Sequence, residues 1–196
     1  ALSASLREAL STLIARRGWT TRIAGMSLIP EARGQGVGSA LMQHVIAEAK
    51  ARHDRAMVLE VIEQNEPAVK LYERSGFHRV RRLVGFACSA SGEARSTAAG
   101  DQMEEVDVRS VGAAVTAHGP IDLPWQLSGE TIAQLTPPAI GYRLNGAWLA
   151  IANLTAPPIM VRALVAERGV AGHDQEIALL RAAMARHAGA EWRVTA

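Results

Sequence analysis

The segment from Ile23 to Ala49 limits the fold more than any other part of this chain. Ile23 to Ile29 is an apolar run that stops at Pro30, and it predicts a β-strand. Arg33, Gly34, Gln35, Gly36, Val37 and Gly38 follow. Leu41, Met42, Val45, Ile46 and Ala49 then recur at the spacing of one helix face. A strand, a glycine turn and a helix start, in that order, build an anion site. The first N–H groups of a helix lack internal partners, and the helix dipole adds partial positive charge there. Glycine admits the backbone conformations such a turn needs and lets a phosphate come close. Arg33 adds a full positive charge suited to phosphate oxygens.

Spacing removes two common phosphate loops. A P-loop needs Lys and Ser/Thr directly after its last glycine, and no Lys stands there. A dinucleotide turn needs Gly-x-Gly-x-x-Gly/Ala; counting from Gly34 gives Ser39 at the last position, and counting from Gly36 gives Leu41. Glu60 is only a superficial match for that motif's ribose-binding acid. The spacing that fits is Arg-x-x-Gly-x-Gly, from Arg33 to Gly38.

A second motif lies further on. Ala56 to Ile62 predicts a strand, and a short helix follows, with Asn65 as its N-cap, Pro67 in its first turn and Gly76 at its C-terminal end. Asn65, Ala68, Leu71, Tyr72, Gly76 and Phe77 match Asn-x-x-Ala-x-x-Leu-Tyr-x-x-x-Gly-Phe. The two motifs together, over roughly residues 20 to 88, resemble the GNAT acetyltransferase superfamily.

That resemblance implies an α/β fold with a mixed, mostly antiparallel central sheet flanked by helices. It implies acetyl-CoA as cosubstrate and transfer of its acetyl group to a primary amine, by direct attack in a ternary complex. Arg33, Gly34, Gln35, Gly36, Val37, Gly38 and Ser39 would cradle the pyrophosphate, largely through backbone N–H groups. Leu28 and Ile29 would offer strand-edge groups to the pantetheine arm, and Asn65 would bond the cofactor or a water, unless it is a plain N-cap. Tyr72 would donate a proton to the departing thiolate; the alternative is a ring filling a gap between helix and sheet. Glu60 is the candidate general base, acting through water, with Glu63 behind it. Strand alternation puts Glu60 and Ile62 on one face and Leu59, Val61 and Glu63 on the other. The resemblance further implies a small-molecule or peptide amine as acceptor, and it allows a homodimer.

Two other readings of the same residues stand beside this one. A CoA-binding sensor or assembly module would use the turn without chemistry, though it has no need of the Tyr72 phenol. A nucleotide-dependent α/β enzyme would use the glycines differently, against the missing Lys and third Gly.

Thr12 to Ala15 predicts a strand, and Arg16-Arg17-Gly18-Trp19 a turn, so Ser11–Arg17 and Trp19–Ile29 form a hairpin. These would be the family's third and fourth strands. A full domain would have about two strands and two helices before them, so the chain reads as a fragment or a processed form. Leu2, Leu6 and Leu10 have helical spacing. Phe77–Val80 and Arg82–Cys88 predict two strands that close a first unit at 1–88. Small polar residues at 89–103 read as a linker.

Residues 104–196 predict a second unit. Val108–Ala117 reads as a helix, and Leu123 to Leu135 as a turn and helix. Ala139–Leu144 and Ala147–Ile151 flank Asn145-Gly146, a hairpin signal. A strand at Ile159–Ala166, a helix at Gln175–His187 and a strand at Glu191–Thr195 repeat the order of 23–62. Aligning Ala40-Leu41 with Ala178-Leu179 sets Arg33 over Ala171, Gly34 over Gly172, Gly36 over Asp174 and Gly38 over Glu176. The second unit therefore reads as a degenerate tandem copy without a phosphate site.

Charge adds a little. The net charge of +2 is too small to suggest nucleic acid. Residues 1–100 carry 14 Lys/Arg against 9 Asp/Glu, and the remainder 7 against 10. That excess suits a polyanionic cofactor or an ordinary solvated surface. The single Cys88 excludes an internal disulfide and fits a cytoplasmic location. The six His residues show no ligand spacing, so no metal is expected. No apolar run reaches membrane-spanning length, and the first residues lack a signal-peptide pattern.

Overall fold

The computed structural model describes residues 10–89, 102–121, 123–169 and 171–195. The Leu2–Leu6 pattern and most of the expected linker, residues 90–101, lie outside them. The chain divides into two compact units, Ala1–Arg81 and Arg82–Ala196.

In the first unit, strands β1 (Leu10–Arg17) and β2 (Thr20–Leu28) form the expected hairpin, with Gly18 at φ +56° in its turn. Strand β3 (Ala56–Leu59) lies parallel to β2 on its other side, with Thr20 to Ile23 paired to Ala56 to Leu59. Beyond Ile23 the two strands part. At that point β2 carries a bulge: Ile23 faces Ile14 and Gly25 faces Leu13, so Ala24 is extra. The bulge shifts the alternation of side chains by one. Ile23 before it and Met26 after it both reach the same core.

Helix α1 (Val37–Ala51) supplies most of that core. Leu41, Met42, Val45 and Ala49 are buried, as their spacing predicts. Leu71, Tyr72, Phe77, Met57 and Leu59 pack against them, Leu71 and Tyr72 from helix α2 (Glu66–Arg74). Each buried Leu, Met or Val contributes about 1.5–3 kcal/mol.

The turn after α1 is fastened to β2 by a buried charge. Asp54 is only 1% exposed, and its Oδ2 accepts from Thr21 Oγ1 at 2.6 Å and Arg52 Nη2 at 3.3 Å. Asp54→Ala strips the buried Thr21 hydroxyl of its acceptor, while Arg52, 35% exposed, keeps Thr21 Oγ1 at 3.3 Å and Glu48 at 3.6 Å. The substitution is expected to lower stability by roughly 2 kcal/mol, read as a shift of the urea midpoint.

The sequence overstates two strands here. The segment read as a strand to Ile62 stops at Leu59, because beyond that residue β2 is no longer alongside; Ile62 is 73% exposed. Phe77–Val80 is not a strand. Phe77 is committed to Tyr72 by an edge contact, and Val80 is 89% exposed.

The second unit is built on a six-stranded sheet in the order β4-β9-β8-β7-β6-β5. Its strands are β4 (Gly85–Ser89), β5 (Glu104–Val106), β6 (Ile140–Leu144), β7 (Ala147–Ala152), β8 (Ile159–Ala166) and β9 (Glu191–Thr195). All neighbours are antiparallel except β8 and β9. The strand expected to close the first unit, β4, thus pairs with β9 and belongs to the second. Asn145 and Gly146, at φ +47° and +79°, make the β6–β7 turn as predicted.

Alternation along β7 splits the core into two layers. Ala147, Leu149 and Ile151 face helix α5 (Gly172–Arg186), whose Leu179, Ala182 and Ala183 are buried. Trp148 and Ala150 face α3 (Val108–His118) and the short α4 (Gly129–Ile132). Gly112 lets those two helices touch: a Cβ there would lie 2.5 Å from the Gly129 carbonyl oxygen. Strand β8 has its own bulge, with Arg162 extra between Val161, facing Ile151, and Ala163, facing Ala150. It pairs with β9 only over Ile159 to Val161.

A titratable pair lies in the α5 layer. Tyr142, 2% exposed, and His187 Nε2 are 2.9 Å apart. Burial, then the Arg186 charge, holds the His187 pKa below the usual histidine value. With its proton on Nδ1, the neutral ring accepts a hydrogen bond from the Tyr142 hydroxyl. Its folded pKa lies below its unfolded pKa of about 6.5, so the stability it contributes is present above that pH. It is lost as pH falls through the folded value. Unfolding midpoints measured from pH 7.5 down to 5 are expected to fall, and less steeply in His187→Gln.

Candidate active site

The glycine turn leaves β2 at Leu28. Pro30–Ala32 form one 3-10 turn, in which Ala32 N–H donates to the Ile29 carbonyl at 3.1 Å. Gly34 and Gly36 have φ of +73° and +78°, conformations that disfavour other residues. Gly36 is the N-cap of α1, and its carbonyl accepts from Ala40 N–H at 3.0 Å. Among the described residues, the N–H groups of Val37, Gly38 and Ser39 make no hydrogen bond. Three donors therefore converge at a positive helix end on an exposed turn.

The three glycines have different reasons. Gly34 and Gly36 are set by backbone conformation, and a Cβ on either would meet nothing within 4 Å. Gly38 is buried and helical; a Cβ there would come within 3.1 Å of Leu71 Cδ2 and 3.5 Å of Leu28 Cδ1. It lets α2 and β2 approach the first turn of α1. Arg33 folds back, its Nε donating to the Leu28 carbonyl at 3.2 Å, and Gln35 Nε2 donates to the Glu31 carbonyl at 2.6 Å. Leu28 ends the stretch of β2 that β3 does not cover, and Ile29, directly after it, is 46% exposed. Two strands that part, with donors at the far end of one of them, suit a long ligand ending in a pyrophosphate.

Tyr72 lies on α2, on the helix side of the sheet. Its ring meets Phe77 edge-on at 6.2 Å and packs on the Leu41, Met42 and Val45 core. Its hydroxyl makes no hydrogen bond among the described residues and is not sealed from solvent. Burial raises its pKa above 10, which keeps the proton on oxygen at neutral pH. Asn65 caps α2, its Oδ1 accepting from Ala68 N–H at 3.4 Å, so its carbonyl is used inside the fold.

Glu60 does not join Tyr72. Met57 and Leu59 face the helices, so Glu60 continues the opposite face with Val58. There Arg22 Nε and Nη2 donate to Glu60 Oε2 at 2.9 and 2.8 Å. Oε1 makes no hydrogen bond among the described residues. Glu63 is instead 3.3 Å from Arg79. Sequence reasoning missed Arg22; the signal was a cation between Thr21 and Ile23, both of which are buried. Among the described residues no three His, Cys, Asp or Glu side chains converge as a metal site would require. No helix there is long and apolar enough to cross a membrane.

Comparison with known proteins gives a consistent pattern. Residues 4–77 match the model of the Acetyltransferase (GNAT) family. The chain is 42% identical over 72 residues to N-alpha-acetyltransferase 30 of Schizosaccharomyces pombe, covering 36% of this chain and 48% of that protein. It is 43% identical over 58 residues to the peptidyl-lysine N-acetyltransferase YiaC of Escherichia coli, covering 30% and 36%. The chain thus spans half or less of these relatives. Its fold is similar to that of a GCN5-related N-acetyltransferase from Sphaerobacter thermophilus, with a TM-score of 0.65 at 17% identity, covering 96% of this chain and 67% of that one. The corresponding protein from Kribbella flavida gives 0.61 at 19% identity, covering 96% and 48%.

Proposed function

We propose that this chain is a GNAT-type N-acetyltransferase whose first unit binds acetyl-CoA and acetylates a primary amine. The observation that carries this reading is the turn at Gly34–Ser39. Its unbonded N–H groups and positive-φ glycines lie beside the stretch of β2 that β3 leaves open. When bound, acetyl-CoA supplies an activated acyl thioester. Val37, Gly38 and Ser39 N–H groups would hold its pyrophosphate, and Arg33 would add charge. The free edge of β2 near Leu28 and Ile29 would align its arm.

The chain's own residues then handle protons. Tyr72 carries one on Oη, on the helix side, for a departing thiolate. Glu60 Oε1, on the other face, takes one from the acceptor amine through water, while Arg22 fixes Oε2. Positions on the two faces suit an acid and a base that serve different atoms. The names of the two relatives favour a peptide amine as acceptor, either an N-terminus or a lysine.

We further infer that the second unit is a degenerate copy. Aligning Leu41 with Leu179 brings Ile23 onto Val161 and Ala24 onto Arg162, and each pair occupies the same place at a bulge where a parallel strand departs. Both following helices have 15 residues. In the second unit the helix starts at Gly172, so the counterparts of Gly34, Gln35 and Gly36 are helical rather than a turn. Asp174 and Glu176 add carboxylates that oppose a phosphate.

Thiol release from acetyl-CoA tests the proposal. Peptides with a free N-terminus, peptides with a lysine only and peptides blocked at both are supplied in turn. Release that depends on a free amine is expected; release indifferent to the amine would reject acetyl transfer to nitrogen.

A further inference from the structure

The hairpin turn at the start of β2 holds an exposed tryptophan. Trp19 is 55% exposed, whereas Trp125 and Trp148 are half-buried and Trp192 is buried. Its backbone is fixed all the same. Gly18 supplies φ +56°, and the Trp19 carbonyl accepts from Arg55 N–H at 2.7 Å and Ala56 N–H at 3.4 Å. Arg55 also lies over the ring, its guanidinium carbon 5.8 Å from the centroid. That guanidinium makes no hydrogen bond or ion pair among the described residues. Charge at this end is one-sided. Strand β1 ends on Arg16 and Arg17, opposite Thr21 and Thr20 in register. Arg52 is answered by Asp54 and Glu48, and Asp54 is buried. No described acid answers Arg55. The helix dipole does not account for it. Arg55 lies beyond α1, whose last carbonyls already accept from Arg52, His53 and Asp54 N–H at 3.0–3.1 Å. A large ring held rigid in water has already lost the freedom that binding would cost it. Trp and Arg are also the residues most enriched where proteins dock. This turn and the glycine turn stand at opposite ends of the nine-residue β2, roughly 25–30 Å apart. The surface is therefore separate from the cosubstrate site. One ring and a few cations are too small for a strand of nucleic acid, which takes a row of rings and of phosphate contacts. They suit a short acidic segment with an apolar residue among its carboxylates.

We propose that Trp19 and Arg55 form a docking point for an acidic segment of a protein partner. An apolar side chain of that segment lies on the indole, and a carboxylate bonds the guanidinium. The docking needs neither acetyl-CoA nor the glycine turn.

Fluorescence anisotropy on the full chain tests it with a dye-labelled peptide, Glu-Glu-Glu-Leu-Glu-Glu-Glu, blocked at both ends so that it carries no amine to acetylate. The peptide is expected to bind, and more weakly as salt rises. Arg55→Glu reverses the charge and Trp19→Ala removes the ring; each is expected to weaken binding about tenfold or more. Saturating CoA is expected to leave the peptide affinity unchanged. Circular dichroism verifies that the variants are folded, and should Trp19→Ala not fold, Arg55→Glu, a change at an exposed residue, carries the test alone. No binding by the unsubstituted chain overturns the proposal. Binding that the variants retain, or that CoA displaces, assigns the peptide to another cationic surface and overturns it as well. A labelled single-stranded oligonucleotide of equal charge that binds more tightly, and loses affinity in the same variants, overturns the proposed occupant in favour of nucleic acid.

Discussion

Replacing Gly36 with Asp is expected to abolish acetyl-CoA binding while the first unit stays folded. A Cβ at Gly36 meets nothing within 4 Å, so the substitution causes no collision. Its φ of +78° strains most residues, but Asp and Asn visit this region. The damage is electrostatic. A carboxylate at the N-cap of α1 would lie against the bound pyrophosphate, and two like charges about 4 Å apart at an effective dielectric of 20 repel by roughly 4 kcal/mol before salt screening. That corresponds to a loss of about two to three orders of magnitude in affinity. Gly36→Asn keeps the backbone demand and removes the charge, and it is expected to lose about tenfold or less. Calorimetric titration of both variants checks this. Equal losses in the two would move the explanation from charge to backbone conformation. No loss in either would make the turn structural only.

Tyr72→Phe is expected to lower kcat by about 100-fold and to leave acetyl-CoA affinity unchanged. The ring contact with Phe77 and the packing on Leu41, Met42 and Val45 survive in the variant, and only the hydroxyl goes. That hydroxyl makes no hydrogen bond among the described residues, so its loss strands no buried group. Proton donation by a positioned side chain contributes about 10²–10⁴-fold, and water reaching the site replaces part of it. Steady-state rates beside calorimetry separate the outcomes. A kcat close to that of the unsubstituted chain would make Tyr72 a packing residue, as a helix–sheet gap filler would be.

The glycine turn was legible because it is local. Positive-φ glycines, a helix start and an Arg within six residues carry their own physical reasons, and Gly34 and Gly36 have the required conformation. The buried face of α1 and the Asn145-Gly146 hairpin were legible for the same reason. What the sequence hid is set by partners far along the chain. Strand β3 ends at Leu59 because β2 diverges, which no pattern inside Ala56–Ile62 records. Strand β4 pairs with β9, more than a hundred residues away. The bulge at Ala24 is invisible in an apolar run, yet it decides that Ile23 and Met26 share a face. Gly38 looked like part of the cradle, and the fold adds a packing reason through Leu71 and Leu28. Glu60 could be chosen from its type and position, but its face and its clamp by Arg22 needed the sheet.

The central claim is that one acetyl-CoA site exists per chain, in the first unit. Calorimetric titration of the unsubstituted chain with acetyl-CoA tests it most directly, with folding verified by circular dichroism on the same sample. One site per chain is the predicted result. Two sites would contradict the loss of the turn at Gly172–Asp174, and no binding by the folded chain would contradict the cradle at Gly34–Ser39.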